Sequence, residues 1–314
     1  MKRFGMIGFV GLLASCANLP QVEAPTRGTT YKVYFLGGQS NMEGFGYASE
    51  VPSDIAAKAA SVPIYHGKTV EDGKDGGGVG IWSPMRPGHG TGFETDGTAN
   101  SLSDRFGPEL TFASTMSSDP SNGPVALIKF SRGGTGLVDG VSGYGSWDPD
   151  FASGNRRNQY DNALTAIDAA LRPRDIDGDG KTDTLVPAGI VWMQGEADAY
   201  DNREASEGYD RNLARLVGLL RTALRNENLP VVIDRIKDSG NTPETQVMTY
   251  SPQVQAAQAR FVANDRCAAL VTSTENFGFL PDGWHYRSED YVVLGEAFAL
   301  AMIALEKRCQ ELRY

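Results

Sequence analysis

Five short apolar runs, separated by segments of helical periodicity, constrain the fold of this chain more than any other feature. Each run is continuously apolar rather than alternating, which is typical of parallel strands buried on both faces. Strands that alternate with helices predict a parallel sheet covered by helices on both sides. The five predicted strands are residues 31–36, 125–130, 188–193, 231–235 and 268–273.

The pattern therefore predicts an α/β fold, a three-layer α/β/α sandwich around a five-stranded parallel sheet of the flavodoxin-like type. We predict one domain over residues 31–314, with loop-rich insertions at about 45–104 and 139–158. Long insertions of this kind more often form walls of a functional site than defects. Helices are predicted over residues 110–116, 160–171, 209–225, 254–262 and 291–305.

The first residues have the pattern of an export signal. Lys2 and Arg3 precede an apolar stretch of roughly ten residues, which is too short to span a bilayer. Residues 13–16 (LASC) also resemble a bacterial lipobox, so we predict a signal peptide over 1–15, lipidation of Cys16 and a tether over 16–30. The protein would then be exported and held by a lipid anchor facing the periplasm or the cell surface. The alternative is an ordinary cleaved signal in which Cys16 is incidental.

The charge of the chain limits the classes of molecule that it can bind, and its cysteines bear on the compartment in which it works. The chain has 29 lysines and arginines against 39 acidic residues, and no basic run lies beyond its first residues. Nucleic acid is therefore disfavoured as a partner. Two cysteines follow the leader, Cys267 and Cys309, and an exported protein can oxidise such a pair. A disulfide and two separately buried thiols both remain open.

Several predicted strands are followed by turns that carry reactive side chains. Ligands of open parallel sheets bind at the carboxyl ends of the strands, where these turns meet. Ser40 follows the first strand, and a serine needs a base that is oriented by an acid before it can act as a nucleophile. Of the three histidines, only His285 has an acid placed to orient it, because Asp282 lies three residues before it; His66 and His89 have none.

A serine hydrolase also needs donors for the oxyanion, and backbone amides at glycine turns plus a side-chain amide usually supply them. Gly134 and Gln194 have the positions for this role. Glu196 is an alternative acid that could orient the imidazole in place of Asp282. The other interpretation of Glu196 is a structural acid that holds the Ser40 turn, paired with Arg132.

Five blocks of the sequence occur in a fixed order. They are GQSNM at residues 38–42, FGPEL at 106–110, GGTG at 133–136, WMQGEAD at 192–198 and DGWHY at 282–286. In this order they resemble the SGNH hydrolases, and more closely carbohydrate esterase family six and the sialate O-acetylesterase-like proteins. The resemblance covers nearly the whole chain after residue 30.

The resemblance implies Ser40 as nucleophile, His285 as general base and Asp282 as its orienting acid. It also implies an oxyanion hole made by the backbone amides of Ser40 and Gly134 and the side chain of Gln194. The implied activity is removal of O-acetyl groups from carbohydrates through an acetyl-serine, with no metal or organic cofactor in the chemistry. Xylan is the first expected substrate.

Two alternative functions remain. A lipase or thioesterase of the same superfamily would share the catalytic residues and differ in acyl chain length. A glycan-binding surface lipoprotein would bind polysaccharide without hydrolysing acetate esters. Aromatic faces suit sugar rings, so we expect Trp82 and Trp147, in the insertions, to face a glycan, and Trp192 and Trp284 to pack in the core.

One acidic segment has the spacing of an EF-hand-type calcium loop. Its predicted ligands are Asp175, Asp177, Asp179 and Asp183, with the carbonyl oxygen of Lys181. Val186 stands where a bidentate glutamate is expected, so an unoccupied acidic turn is the alternative. Because this segment enters the third strand at its amino end, we predict a structural Ca²⁺ that lies across the sheet from Ser40.

Overall fold

The computed structural model describes Met1 and residues 28–311 other than 241 and 243. Residues 2–15 of the predicted signal peptide, the predicted lipidation site Cys16 and residues 17–27 of the predicted tether lie outside the described residues. In the part of the chain that is described, no helix combines the length and apolar character needed to cross a bilayer.

A central seven-stranded sheet organises the molecule, in the order β11-β10-β9-β1-β8-β3-β4. All pairings within it are parallel except that of β3 with the edge strand β4. Two small antiparallel pairs, β2 with β7 and β5 with β6, lie outside this sheet. The strands are β1 Thr30–Gly38, β2 Gly46–Tyr47, β3 Pro63–His66, β4 Trp82–Pro84, β5 Glu94–Thr95, β6 Asn100–Ser101, β7 Arg105–Phe106, β8 Val125–Ser131, β9 Thr184–Met193, β10 Val231–Asp234 and β11 Ala268–Val271.

Helices cover both faces of the sheet, so the predicted three-layer α/β/α fold is confirmed. Along β1, Val33 and Phe35 pack with α4, α6 and α7, whereas Tyr34 and Leu36 pack with α3 and α8. This alternation follows from the two-residue period of a strand. The helices are α1 Ser40–Glu43, α2 Ser53–Ala59, α3 Glu109–Ser118, α4 Gln159–Ala170, α5 Glu196–Tyr200, α6 Arg203–Ala223, α7 Ser251–Asn264 and α8 Ser288–Glu311.

The predicted strand number was too low. All five predicted strands are present, but the first insertion adds β3 and β4 at one edge of the sheet. Both are short, at four and three residues, each includes a polar residue, and a glycine-rich and acidic segment separates them, so neither has a long apolar run in the sequence. The insertion at 45–104 is therefore in part an extension of the sheet, whereas the one at 139–158 has no helix or strand.

A disulfide joins Cys267, directly before β11, to Cys309 near the end of α8, with the two Cα atoms 5.6 Å apart. The sequence left open a disulfide or two separately buried thiols, and the structure has the disulfide. Both residues are buried at the interface of α8 with the sheet.

Candidate active site

The Ser40 turn follows directly from the end of β1. Gly38 has a φ of 145°, and a Cβ atom there would lie 1.9 Å from the carbonyl oxygen of Met193, so only glycine is compatible with this approach of β1 to β9. The chain bends at Gln39, and Ser40 begins the four-residue helix α1. The parallel register pairs Gly38 with Ser131 and with Met193, which brings the ends of β1, β8 and β9 together.

Asp282 and His285 form the predicted pair within one turn. The Nδ1 atom of His285 lies 2.8 Å from Oδ2 of Asp282. The other carboxylate oxygen, Oδ1, accepts hydrogen bonds from the backbone amides of Trp284 and His285. The imidazole also stacks on the ring of Phe45, with centroids 3.5 Å apart and an interplanar angle of 4°. These contacts hold the ring and leave Nε2 as the nitrogen available for proton transfer.

The surroundings keep the imidazole neutral and the carboxyl ionised. Burial lowers the pKa of His285 below its ordinary value, and the hydrogen bond with Asp282 offsets part of the decrease. Burial raises the pKa of Asp282, but its hydrogen bonds with His285 and two backbone amides outweigh burial, so the net pKa lies below the ordinary value. A neutral base next to an anionic acid is the state that general-base catalysis requires.

Ser40 and His285 line one cavity of about 690 Å³ at the carboxyl ends of the strands. Ser40 is 8% exposed, and its hydroxyl forms no hydrogen bond with any other described residue, His285 included. Such bonds are often long before substrate binds. The cavity is lined by Gln39, Ser40, Glu43, Phe45, Arg132, Gly133, Gly134, Val141, Ser142, Gly143, Tyr144, Ala197, Tyr200, Trp284 and His285.

Two residues that line this cavity, Ser40 and Gly134, have backbone amides without an acceptor in the described part of the chain. Neither the Ser40 amide nor the Gly134 amide donates a hydrogen bond to another described residue. Gly134 has a φ of 71°, and a Cβ atom there would lie 2.7 Å from the Tyr144 ring, so the turn requires glycine. The lining of the cavity therefore includes two backbone amides that are free to donate, as an oxyanion hole requires.

Gln194, the third predicted oxyanion donor, is placed elsewhere, and this prediction is corrected. Its side chain is fully buried and does not line the cavity. Its amide nitrogen donates to the carbonyl oxygen of Thr135 and to Oδ2 of Asp198, at 3.1 and 2.6 Å. Its amide oxygen accepts from the Tyr209 hydroxyl at 3.0 Å. Because its side chain makes these hydrogen bonds inside the core, Gln194 stabilises the turn after β9 and does not bind an oxyanion.

Glu196, the alternative acid, has no hydrogen bond with His285. It is buried at the start of α5, and its Oε1 accepts from Nδ2 of Asn41 at 2.8 Å. Burial raises the pKa of this carboxyl. The geometry thus matches the structural alternative, an acid that holds the Ser40 turn. Among the described residues, no hydrogen bond or ion pair joins Arg132 to Glu196; the Arg132 Nε donates to the carbonyl oxygen of Tyr144 instead.

The expected aromatic wall is built by other residues. Trp147 is fully buried against Trp192, and Trp82 is half-buried with its indole N–H donated to the carbonyl oxygen of Ala170. Trp284 lines the cavity instead, paired with Tyr200 at 5.5 Å between ring centroids. Tyr144, 68% exposed, comes from the 139–158 insertion and stands over Gly134.

The acidic loop brings together three of the four predicted carboxylates. Ligand atoms of Asp175, Asp177 and Asp183 lie within 4.8 Å of one another, and the loop directly precedes β9. Asp179 is not in this group, because its carboxylate accepts from the Lys181 amide and pairs with the Lys181 ammonium. The loop itself lies at the amino end of β9, away from Ser40, as predicted.

Sequence reasoning missed two residues that contact the site residues. Asn41 hydrogen-bonds Glu196 and the carbonyl oxygen of Trp284, and Phe45 stacks on His285. Asn41 lies in the quoted GQSNM block, so its position beside Ser40 was the available signal. No pattern in the sequence pointed to Phe45.

Comparisons with known proteins agree with this fold. Residues 30–304 match the family described as carbohydrate esterase, sialic acid-specific acetylesterase. No curated protein matched by sequence. Three solved structures share the fold at low identity. A protein from Arabidopsis thaliana is 19% identical with a TM-score of 0.60, over 87% of this chain and 98% of that chain.

The carbohydrate acetylesterase XAC1771 from Xanthomonas citri is 16% identical with a TM-score of 0.57, over 88% of this chain and 56% of that chain. NanS is 13% identical with a TM-score of 0.54, over 90% of this chain and 99% of that chain. Because the family match extends over most of the sequence, the chain belongs to the carbohydrate esterases of the sialic acid-specific acetylesterase family and hydrolyses acetyl esters of carbohydrates.

Proposed function

We propose that the enzyme deacetylates carbohydrates through an acetyl-serine intermediate on Ser40. The observation that carries this proposal is the Asp282–His285 hydrogen bond of 2.8 Å, in a cavity that Ser40 also lines. Nε2 of His285 takes the hydroxyl proton as Ser40 Oγ attacks the acetyl carbonyl carbon. Collapse of the tetrahedral intermediate breaks the bond to the sugar oxygen, which receives that proton and leaves as an alcohol.

The second half of the reaction reverses the roles of these atoms. A water molecule attacks the acetyl-serine carbonyl while His285 takes one of its protons. Acetate leaves, and the proton returns to Ser40 Oγ. In both steps the backbone amides of Ser40 and Gly134 stabilise the negative charge on the carbonyl oxygen, because neither has a protein acceptor.

The aromatic side chains that line the cavity favour a polymeric or oligomeric carbohydrate as the substrate, with acetylated xylan as the first choice. Tyr144, Tyr200 and Trp284 line the cavity with aromatic faces, which suit the apolar faces of pyranose rings. A panel of acetylated xylan, mannan, pectin and sialic acid, followed by acetate release, identifies the glycan.

Ser40→Ala tests the mechanism directly. We expect hydrolysis of 4-nitrophenyl acetate to fall by about 10³-fold or more, with an unchanged melting temperature. Retained turnover in the variant would remove Ser40 from the mechanism. Octanoyl esters hydrolysed as fast as acetyl esters would instead favour a lipase or thioesterase. Binding of acetylated xylan by the wild type without acetate release would favour a non-catalytic glycan-binding protein.

We also propose that Asp175, Asp177 and Asp183 hold a structural Ca²⁺ together with the Lys181 carbonyl oxygen. Support comes from the grouping of their ligand atoms within 4.8 Å and from the preference of Ca²⁺ for carboxylate and carbonyl oxygens. Asp179, which pairs with Lys181, is left out of the ligand set. Because the loop lies at the amino end of β9, the ion would stabilise the fold and take no part in the chemistry.

Export and lipid anchoring at Cys16 stand as a further proposal, supported by the leader sequence. Cys16→Ala should move the enzyme from the membrane fraction to the soluble fraction of the producing cell. An unchanged distribution would contradict the anchor.

A further inference from the structure

The Asn41 side chain is the centre of a buried hydrogen-bond network directly beside the nucleophile. It is 1% exposed. Its Nδ2 atom donates to Glu196 Oε1 at 2.8 Å and to the carbonyl oxygen of Trp284 at 3.2 Å. Its Oδ1 atom accepts from the Tyr291 hydroxyl at 2.7 Å. One amide thus connects α1 with α5, with the turn that carries His285, and with α8.

The bond to Trp284 joins the helix that carries Ser40 to the turn that carries His285. Ser40 lies on a helix of only four residues, which cannot hold its own geometry. His285 lies on a turn without regular secondary structure. Among the described residues, no other hydrogen bond links residues 40–43 to residues 280–286. The residue after the nucleophile is therefore bonded to the residue before the base.

Only a primary amide of this length satisfies the three partners together. The Trp284 carbonyl and the Glu196 carboxylate need a donor, while the Tyr291 hydroxyl donates and needs an acceptor. A leucine at position 41 would have the same γ-branching with a somewhat larger volume, and it would make none of these bonds. An aspartate would retain the bond from Tyr291 but would lose the donor and face a second carboxyl group.

Glu196 depends on this amide. Its other oxygen, Oε2, is buried without a hydrogen-bond partner, and no other described side chain donates to the carboxyl group. The contact with Asn41 is thus one of two side-chain attachments between the nucleophile turn and the start of α5, the other being the bond from the Ala197 amide to the Gln39 side chain. Loss of the Asn41 amide would remove the bond to Glu196 and the bond to the His285 turn at once.

We propose that Asn41 is a positioning residue that sets the separation and alignment of Ser40 Oγ and His285 Nε2. The proposal rests on the Ser40 and His285 roles given above. Asn41 touches neither substrate nor reacting atoms, because it does not line the cavity. It acts through the two residues on either side of the proton transfer, so its loss slows the chemical step and leaves substrate binding largely unchanged.

The test compares Asn41→Leu with the wild type on 4-nitrophenyl acetate, well below the melting temperature of both. We expect kcat to fall by roughly 10²-fold with little change in KM, since small misplacements of reacting groups have effects of this size. The rate constant for covalent modification of Ser40 by a fluorophosphonate should fall in parallel. Tyr291→Phe removes one hydroxyl and one of the three bonds, and we expect a kcat loss of about three- to tenfold.

Asn122→Leu is the matched control. Asn122 is also buried, and its Nδ2 donates to the Met116 carbonyl oxygen at 2.8 Å in the turn before β8, away from the cavity. This variant should lose stability but keep the wild-type kcat and fluorophosphonate rate. If Asn41→Leu does not fold, Tyr291→Phe decides the question.

The outcomes separate the two proposals. Wild-type kcat in the folded Asn41→Leu and Tyr291→Phe variants, with Ser40→Ala inactive, would overturn the role of Asn41 alone. A rise in KM with unchanged kcat would overturn it as well, because that pattern marks a binding residue. Turnover by Ser40→Ala would overturn the mechanism on which the inference rests.

Discussion

Two carboxylic acids near the catalytic cavity have different partners, and these partners assign them different tasks. Asp282 holds His285 Nδ1 at 2.8 Å, whereas Glu196 holds Asn41 Nδ2 at 2.8 Å. The first contact fixes the tautomer of the base and stabilises the imidazolium that forms during catalysis. The second fixes the backbone that carries the nucleophile.

Replacing each acid by its amide distinguishes these tasks. We expect Asp282→Asn to lower kcat by about 10²-fold or more, because an amide can favour the wrong tautomer and cannot stabilise the cation. Glu196→Gln keeps an acceptor for Asn41 and should lower kcat by less than about tenfold. Steady-state kinetics on an aryl acetate measures both. A larger loss in Glu196→Gln would return the orienting role to Glu196.

The pH profile supplies an independent readout for the same pair. Burial places the pKa of His285 below its ordinary value, so the acid limb of kcat/KM should have its midpoint below about 6.5. Asp282 raises that pKa, because an adjacent anion favours the imidazolium. Its removal should therefore move the limb to still lower pH. A shift to higher pH would contradict the assignment.

Short-range spacing predicted some site residues, and long-range packing decided others. The Asp282–His285 contact could be predicted because three residues separate the two side chains, so one turn brings them together. Gln194 was assigned to the cavity from its place after a strand, yet Asp198 and Tyr209 hold it in the core. Nothing in the local sequence gives the direction in which such a side chain points.

At the scale of elements, the sequence predicted five of the seven strands of the main sheet and missed the two at one edge. The five predicted strands have continuous apolar runs, which is a strong signal. Strands β3 and β4 have only four and three residues and include the polar residues His66 and Ser83. β3 joins the sheet by pairing with β8, and β4 joins it by pairing with β3. Short and partly polar strands of this kind have no comparable pattern in the sequence, because neighbouring strands place them.

The disulfide is a stabilising link between β11 and α8, at the amino ends of the strands and away from the active site. It joins the residue before β11 to the end of α8, across a sequence separation of 42 residues. Closing a loop of that length in the unfolded chain is worth about 4 kcal/mol in the chain-entropy account. We expect the double substitution Cys267→Ala, Cys309→Ala to lower the melting temperature by roughly 8 °C or more.

Thermal unfolding followed by circular dichroism measures this change. Wild-type protein treated with a thiol reductant is the control and should show a similar decrease. Activity of the folded double variant at low temperature should be unchanged, since neither cysteine lines the cavity. An unaltered melting temperature in both samples would show that the bond contributes nothing to stability.

At the scale of the whole molecule, the catalytic cavity lies at one end of the strands, and the acidic loop and the disulfide lie at the other. The carboxyl ends of β1, β8 and β9 carry the cavity, and the segments before β9 and β11 carry the acidic loop and the disulfide. The acidic loop is tied to the start of β1, because Asp183 accepts from the Thr29 amide and Asp177 from the Tyr31 hydroxyl. An ion in this loop would therefore stabilise the central strand of the sheet.

Chelation tests that separation of functions. If Ca²⁺ is bound at a hundredfold excess over its dissociation constant, its removal costs about 2.7 kcal/mol of folding free energy. We expect excess EDTA to lower the melting temperature by roughly 5 °C or more and to leave kcat at low temperature unchanged. Added Ca²⁺ should restore the melting temperature, while Mg²⁺ should restore less, because it prefers a smaller octahedral site.

Two aspartates make the comparison specific. Asp177→Asn should abolish the response to EDTA, because it removes one of the three grouped carboxylates. Asp96→Asn is the control: its carboxylate also closes an exposed turn, accepting from Thr98 and Ala99, but it lies outside the group. That variant should keep the full response. An immediate and reversible loss of activity on chelation would instead place the ion in the chemistry, and an identical melting curve with and without EDTA would argue for an acidic turn held by its own backbone amides.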